Sequence, residues 1–328
     1  YIAHDAVQYF EQLELNNDKE EQDIPDIYYA VYQNIIAISL FNHEAHLFSH
    51  NLDGVHNLDH LEQLINGKQQ SKFRFEKTGT KTSNLTDAEF LEFVNQGKQH
   101  CYRGDVFQLV LSRRFSQRFQ GDDFNVYRTL RSINPSPYLF YFDYGNFKIF
   151  GSSPEAQLIV HEGKAEIHPI AGTFKRTGND QEDAASALEL SKDPKENSEH
   201  VMLVDLARND LSRNGSEVIV EKNREIQFYS HVIHLVSKVS CKMKDWVKTF
   251  QVVADTFPAG TLSGAPKHKA LQLIDRYEKN KRNFYGGAIG YLDFEGNFNH
   301  AIIIRSFLSQ KNQLHYQAGA GIVADPVP

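Results

Sequence analysis

The stretch from 284 to 323 constrains the fold more than any other. Runs suited to strands, 284–294, 298–308 and 313–323, are separated by turn signals at Glu295-Gly296 and Lys311-Asn312. Connections this short leave no room for crossover helices, so the three runs form an antiparallel meander. Upstream, helical and strand patterns are interspersed without βαβ regularity, and neither an internal repeat nor a sharp change of composition divides the chain. The expected fold class is therefore α+β.

Several upstream elements announce themselves. "TDAEFLEFVNQGKQHCYRGD" opens with Thr86 and Glu89, a capping-box pair, and reads as an amphipathic helix closing near Gly104. "VFQLVLSRRFSQRF" alternates at Phe107, Leu109 and Leu111, which predicts a strand with Gln108, Val110 and Ser112 on its other face. "KIFGSSPEAQLIVHEGKAEIHPIAGTF" reads as two strands joined at His161 to Lys164. Asp193 is the expected N-cap of the next helix, with Pro194 at its first position and Gly215 placed to end it. Glu196 and Glu199, three apart, share one face of that helix. "EIQFYSHVIHLVSKV" reads as one strand, with His231 and His234 on opposite faces. "WVKTFQVVADTF" and "APKHKALQLIDRYEKN" read as helices bracketing "PAGTLSG", and the polar stretch 50–85 as a solvated connector.

Composition narrows the function. The 328 residues are 41% hydrophobic, enough for a substantial core, and the formal net charge of -7 gives the chain no electrostatic reason to seek nucleic acid or anionic lipid. Cys101 and Cys241 lie far apart without metal-ligand spacing, which points to a reducing compartment and no structural zinc. No run approaches the roughly 18–20 apolar residues of a membrane helix. A soluble protein with a small-molecule or protein partner is expected. The chain starts at Tyr1 and stops at "ADPVP", so both ends read as cut.

Candidate chemistry is weak residue by residue. A Glu pair at i, i+3 is most often a solvated face or a cap, and His234 on an apolar strand most often a satisfied core histidine. Arg305, after "AIII", is costly inside a sheet unless a carboxylate or phosphate meets it. Gly319 and Gly321 in "QAGAG" put two bare positions on one strand face, where a ligand can lie against the backbone. "IAGTFKRTG" sets a bare backbone beside Lys175 and Arg176, which either add positive potential or pair with neighbours. No GxGxxG or GxxxxGK[ST] is present, "GTLSGAPK" has the wrong spacing for a phosphate loop, and "GSSPE" lacks the symmetric Gly of a nucleophile elbow.

Taken in order, "GSSPE", "HPIAGT", "KENSEHVMLVDLARNDLSRNG", "SHVIHLVS", "GTLSGAPK", "YGGAIGY", "AIIIRS" and "QAGAGIVAD" resemble the chorismate-binding enzymes, and within them the anthranilate synthase component I branch. The likeness covers residues 86–328, the catalytic region; 1–85 resembles the family's less distinctive N-terminal part. The resemblance implies two large antiparallel sheets packed on each other with helices outside, a cytoplasmic enzyme, chorismate as substrate, Mg2+ as cofactor and a glutamine amidotransferase partner that supplies ammonia. It implies Glu155 as acid for the C4 hydroxyl, His234 as base for the C2 proton, and Thr173 beside them. Gln108, Ala171, Gly172, Tyr285, Arg305, Gly319, Gly321 and Lys267 are implied substrate contacts, and Glu199 and Glu196 the metal ligands.

Three positions discriminate within the family. Isochorismate- and salicylate-forming relatives place a water-activating Lys where this chain has Gln108, and Gln cannot serve as a base. Aminodeoxychorismate synthases commonly carry Lys in place of Ala171. "NPSPYLF" resembles half of a tryptophan feedback site, which implies Asn134, Pro135, Ser136, Tyr138 and Leu139 as tryptophan contacts. Anthranilate formation is therefore expected, with aminodeoxychorismate synthesis or non-catalytic chorismate or tryptophan binding as the alternatives. The family's second group of metal-binding glutamates lies beyond "GAGIVADPVP".

Overall fold

The computed structural model describes every residue except 17, 20–21, 51–57, 68–72 and 325–328. It divides into two compact units, Tyr28–Arg74 and the remainder, Tyr1–Ile27 with Phe75–Pro328. The smaller unit holds a hairpin of β1 (Asn34–Ser39) and β2 (Glu44–Ser49), and an amphipathic helix α1 (Leu58–Asn66). The stretch expected as a solvated connector thus contains α1 and strand β3 (Phe75–Ser83), while its segments 51–57 and 68–72 lie outside the described residues.

The larger unit is built on two antiparallel sheets. The first runs β10 (Gly215–Phe228), β11 (Val232–Met243), β8 (Lys164–Ile167), β7 (Ala156–His161), β14 (Phe298–Ile302), β13 (Ala288–Leu292), and β9 (Ile170–Lys175) also pairs with β11. The second runs β12 (Gly264–Ala265), β4 (Gln108–Gly121), β16 (Gln313–Ile322), β15 (Ser306–Gln310), β6 (Phe147–Ser153), β5 (Tyr138–Asp143), and β3 also pairs with β4. Leu109 and Leu111 of β4, Leu158 of β7 and Val239 of β11 share one apolar core, so the two sheets pack through it. The opposite face of β4 is buried as well: Gln108 and Ser112 are covered there by Glu199 and Glu278, to which they donate at 2.8 and 2.7 Å.

Seven α-helices accompany the sheets among the described residues: α2 (Asp87–Arg103), α3 (Phe124–Ile133), α4 (Asp180–Lys192), α5 (Pro194–Ser212), α6 (Thr249–Thr256), α7 (Gly260–Ser263) and α8 (Lys267–Tyr277), with a short 3-10 helix at His4–Tyr9. The α2 capping box forms as its sequence requires, with Thr86 Oγ1 accepting from the Glu89 amide and the Glu89 carboxylate accepting from the Thr86 amide. Asp193 caps α5 by accepting from the Lys195 and Glu196 amides, each at 2.9 Å. Gly215 does not end that helix. It opens β10, where a Cβ would come within 2.3 Å of Cys241 Sγ. No helix among the described residues is long and apolar enough to cross a membrane.

Runs read as continuous prove broken where they matter most. The expected strand 298–308 breaks after Ile302, so β14 stays in the first sheet and β15 joins the second. The run from 147 likewise breaks between β6 in the second sheet and β7 in the first. The two crossings lie side by side, because the Ile302 amide donates to the Glu155 carbonyl at 3.0 Å and the Ser152 amide to the Arg305 carbonyl at 3.1 Å. "EIQFYSHVIHLVSKV" turns back at Tyr229–His231, so His231 sits in a turn and not on a strand face.

Candidate active site

Each inter-sheet crossing carries one charged residue. Arg305 is not inside a sheet, as its apolar run suggested. It sits between β14 and β15 with φ 50°, a left-handed conformation costly for a non-glycine residue and typical of functional positions. The residue is exposed. Glu155 occupies the other crossing and is only 8% exposed. Burial pushes its carboxyl up to about 8, against the smaller opposing effects of the Thr261 hydroxyl, which donates to Oε1 at 3.1 Å, and of the Arg305 charge. Glu155 is therefore a protonated acid near neutral pH.

His234 is held as a neutral imidazole with one ring nitrogen bare. Its strand pairs with β9 at Thr173, but Leu235 pairs with Ala171, which leaves Gly172 as the extra residue of a β-bulge with φ 77°. The bulge aims the Gly172 carbonyl at His234 Nδ1, 3.1 Å away, and the Thr173 hydroxyl is also 3.1 Å from that nitrogen. A carbonyl only accepts, so the proton lies on Nδ1 and Nε2 is left bare. Nε2 is buried without a protein partner, in a side chain 4% exposed. Burial, joined by the Arg305 charge, holds the imidazole below its ordinary value, so it is neutral at neutral pH. The Tyr229 ring meets the His234 ring edge-on at 5.3 Å, and its hydroxyl donates to Gln227 Oε1.

Helix α5 brings the carboxylates. Glu196 stands three residues after the Asp193 cap, and its carboxylate accepts from the Thr173 amide. A Cβ on Gly172 would lie 3.3 Å from Glu196 Oε2, so this carboxylate fills the space the glycine leaves. Burial and the neighbouring Glu199 charge raise the Glu196 pKa, whereas Glu199 accepts from Gln108 Nε2 at 2.8 Å. Among the described residues no three His, Cys, Asp or Glu side chains gather as a metal site. Two hard oxygen donors on one helix face, one destabilised by the charge of the other, nevertheless suit a divalent cation that other oxygens complete.

The glycine face of β16 closes the arrangement. A Cβ on Gly319 would stand 2.8 Å from the Tyr285 hydroxyl, and one on Gly321 3.2 Å from Gln108 Nε2. The Gly319 amide hydrogen-bonds to the Tyr285 hydroxyl, whose pKa burial pushes up to about 12. Gln108 keeps a buried Oε1 without a protein partner. Lys267 stands apart from these groups, its amine held by Asp210 Oδ2 at 2.6 Å and the Thr256 carbonyl at 2.8 Å. Arg176 takes the neighbour-pairing option, bonded to Asp183 Oδ2 and the Tyr229 carbonyl. Asn134–Leu139 leads from α3 into edge strand β5, where Tyr138 pairs with Ser153 and Leu139 with Ser152, beside the Glu155 crossing.

Sequence reasoning missed Tyr229 and Thr261. Tyr229 was hidden because "FYSH" carries no Gly, Pro or Asn to signal the turn. Thr261 lies in "GTLSGAPK", which was weighed only as a phosphate loop.

The family model described as chorismate binding enzyme matches residues 1–328. An anthranilate synthase component 1 from Aquifex aeolicus is 47% identical over 248 residues, 75% of this chain and 50% of that protein. One from Neisseria meningitidis serogroup B is 38% identical over 343 residues, covering 100% of this chain and 70% of its own length. The crystal structure of anthranilate synthase component I from Streptococcus pneumoniae superposes with a TM-score of 0.84 at 32% identity, over 100% of this chain and 75% of that one. The chain spans about half the length of the first curated relatives it matches.

Proposed function

The chain belongs to the family of chorismate-binding enzymes, and from that membership we propose that it converts chorismate and ammonia to anthranilate and pyruvate as the synthase subunit of anthranilate synthase, in tryptophan biosynthesis. One observation carries the reading: a protonated carboxyl at Glu155 and a neutral imidazole at His234 share the field of one guanidinium, Arg305. An acid and a base whose surroundings push their pKa values apart suit a reaction that first loses hydroxide and then a carbon-bound proton.

Arg305 pairs with the carboxylate on the enolpyruvyl arm, beside Tyr285 and the open backbone at Gly319 and Gly321. The ring lies along Ala171, Gly172 and Thr173, where the bulge removes a side chain. Glu155 gives its proton to the C4 oxygen as ammonia bonds to C2, so that oxygen leaves as water. His234 Nε2 then takes the C2 proton, and the C3–O bond breaks to release pyruvate. Gln108 cannot activate water and is bonded to Glu199, which favours ammonia as nucleophile. Glu199 and Glu196 would hold Mg2+, whose charge neutralises the ring carboxylate when bound. The tryptophan contacts Asn134, Pro135, Ser136, Tyr138 and Leu139 complete the assignment, and Lys267, whose amine is held by Asp210 and the Thr256 carbonyl, is left out of it.

Ammonia is mostly protonated at neutral pH, so a glutamine amidotransferase subunit that releases it beside the site is the expected partner. Two buried free thiols suit the cytoplasm. The test is to incubate the full-length protein with chorismate, Mg2+ and ammonium at alkaline pH and identify the product. Anthranilate with pyruvate supports the reading. Aminodeoxychorismate without pyruvate moves the protein to the folate branch, and tight binding without turnover makes it a sensor.

A further inference from the structure

Glu155 forms part of the wall of a second space. A partly enclosed cavity between β7, α5, α6 and α7 is lined by Glu155, Gln157, Asp210, Thr256 and Thr261 among others, but not by His234, Thr173 or Arg305. Glu155 therefore stands between the proposed substrate site and this cavity. A water centre can move over about 30 Å³ there, against the ~10–15 Å³ that one water needs.

The lining is mixed: Ile167, Pro169, Leu203, Leu206 and Ala207 form apolar walls, and Glu155, Gln157, Asp210, Thr256 and Thr261 bring polar groups to them. Gln157 is 3% exposed, and its Nε2 donates to Thr256 Oγ1 at 3.3 Å. Lys267 bonds the Thr256 carbonyl and pairs with Asp210. Gln157 Oε1, by contrast, is buried without a protein partner. Leaving such an oxygen unsatisfied is costly, and a small hydrogen-bond donor in the cavity relieves that cost.

Resting on the reading of Glu155 as the acid, we propose that this cavity holds water bonded to Gln157 Oε1 and that the water returns a proton to Glu155 after each turnover. The balance closes. Glu155 gives one proton to the departing C4 oxygen, and the nitrogen bonded to C2 sheds one proton as it passes from ammonium to amine. That proton goes to solvent, and one from solvent reaches Glu155 through the cavity. The C2 proton taken by His234 ends in the methyl group of pyruvate. The groups facing Glu155 are Thr261 from α7, Arg305 from the neighbouring crossing and Tyr229 from the β10–β11 turn, with the Asp210–Lys267 pair across the cavity. Gln157 is a positioning residue in this scheme and does not touch the substrate.

The test compares the first turnover with the steady state in the full-length protein, using chorismate, Mg2+ and ammonium. Gln157→Leu removes the acceptor, and Leu206→Phe narrows the cavity from α5. In each variant the first turnover, run on Glu155 already protonated, stays within about twofold of wild type, whereas the steady-state rate falls about tenfold and gains a larger solvent deuterium effect. Both phases falling in proportion, or neither changing, in both variants overturns the proposal. A wild-type protein that forms no anthranilate in its first turnover overturns the functional reading instead, which is distinguishable because failure of the cavity scheme alone leaves the wild type active.

Discussion

The residues that matter here act through burial more than through contact. Under the proposed mechanism His234→Ala removes the base for the C2 proton, and kcat should fall by about 10²–10⁴ with chorismate affinity kept within a few-fold, read by pyruvate release beside a binding titration. Unchanged turnover would remove His234 from the mechanism. Glu155 gives a pH signature. Its folded pKa is raised to about 8 from an ordinary 4.5, so the stability it contributes is fully present below about 4.5 and lost as pH rises toward 8. Glu155→Gln cancels that loss. Denaturant unfolding should show the stability of Glu155→Gln relative to wild type increasing between pH 5 and pH 8, while activity is lost at every pH. A pH-independent difference would mean that the carboxyl is not desolvated.

At the scale of elements, the site depends on a bulge and a cap. Gly172 combines φ 77° with Leu190, Glu196 and Leu235 within 3.4 Å of where a Cβ would be. Gly172→Ala should therefore destabilise by about 1–3 kcal/mol through backbone strain, and the displaced carbonyl should loosen His234, lowering kcat more than chorismate affinity. Asp193→Ala leaves two amides at the start of α5 uncapped, which costs about 1 kcal/mol. Because Glu196 and Glu199 lie in the first turns of that helix, Mg2+ should also bind more weakly, as isothermal titration would show. Equal Mg2+ affinity in wild type and Asp193→Ala would detach the cap from the metal site. Both local devices have visible signals, "DPKE" for the cap and "AGT" for the bare backbone. The bulge itself was not legible, since an extra residue shows only once β9 is paired with β11.

Across the whole molecule, the buried Arg282 joins parts of the chain that no local pattern connects. It pairs with Glu278 at 2.6 Å and donates to the carbonyls of Val110 and Leu262, from β4 and α7. Arg282→Met would strand the Glu278 carboxylate in the core at a cost of about 3–5 kcal/mol, seen as an earlier unfolding midpoint, and Glu278→Gln in the same chain should recover part of it. An unchanged midpoint in Arg282→Met would show that the pair carries no net weight. The sequence by itself determined the fold class, the helix starts at Thr86 and Asp193, the family, and the antiparallel pairing within each C-terminal hairpin though not the single meander expected over 284–323, because turn, cap and periodicity rules act over a few residues and motif order survives without coordinates. Only the tertiary structure decided where strands break to change sheets, that Glu155 and Arg305 stand at two neighbouring breaks, and which nitrogen of His234 is bare. Those facts depend on what lies across a sheet or behind a helix, and desolvation, which sets the charge of each group, is a property of the packed chain alone.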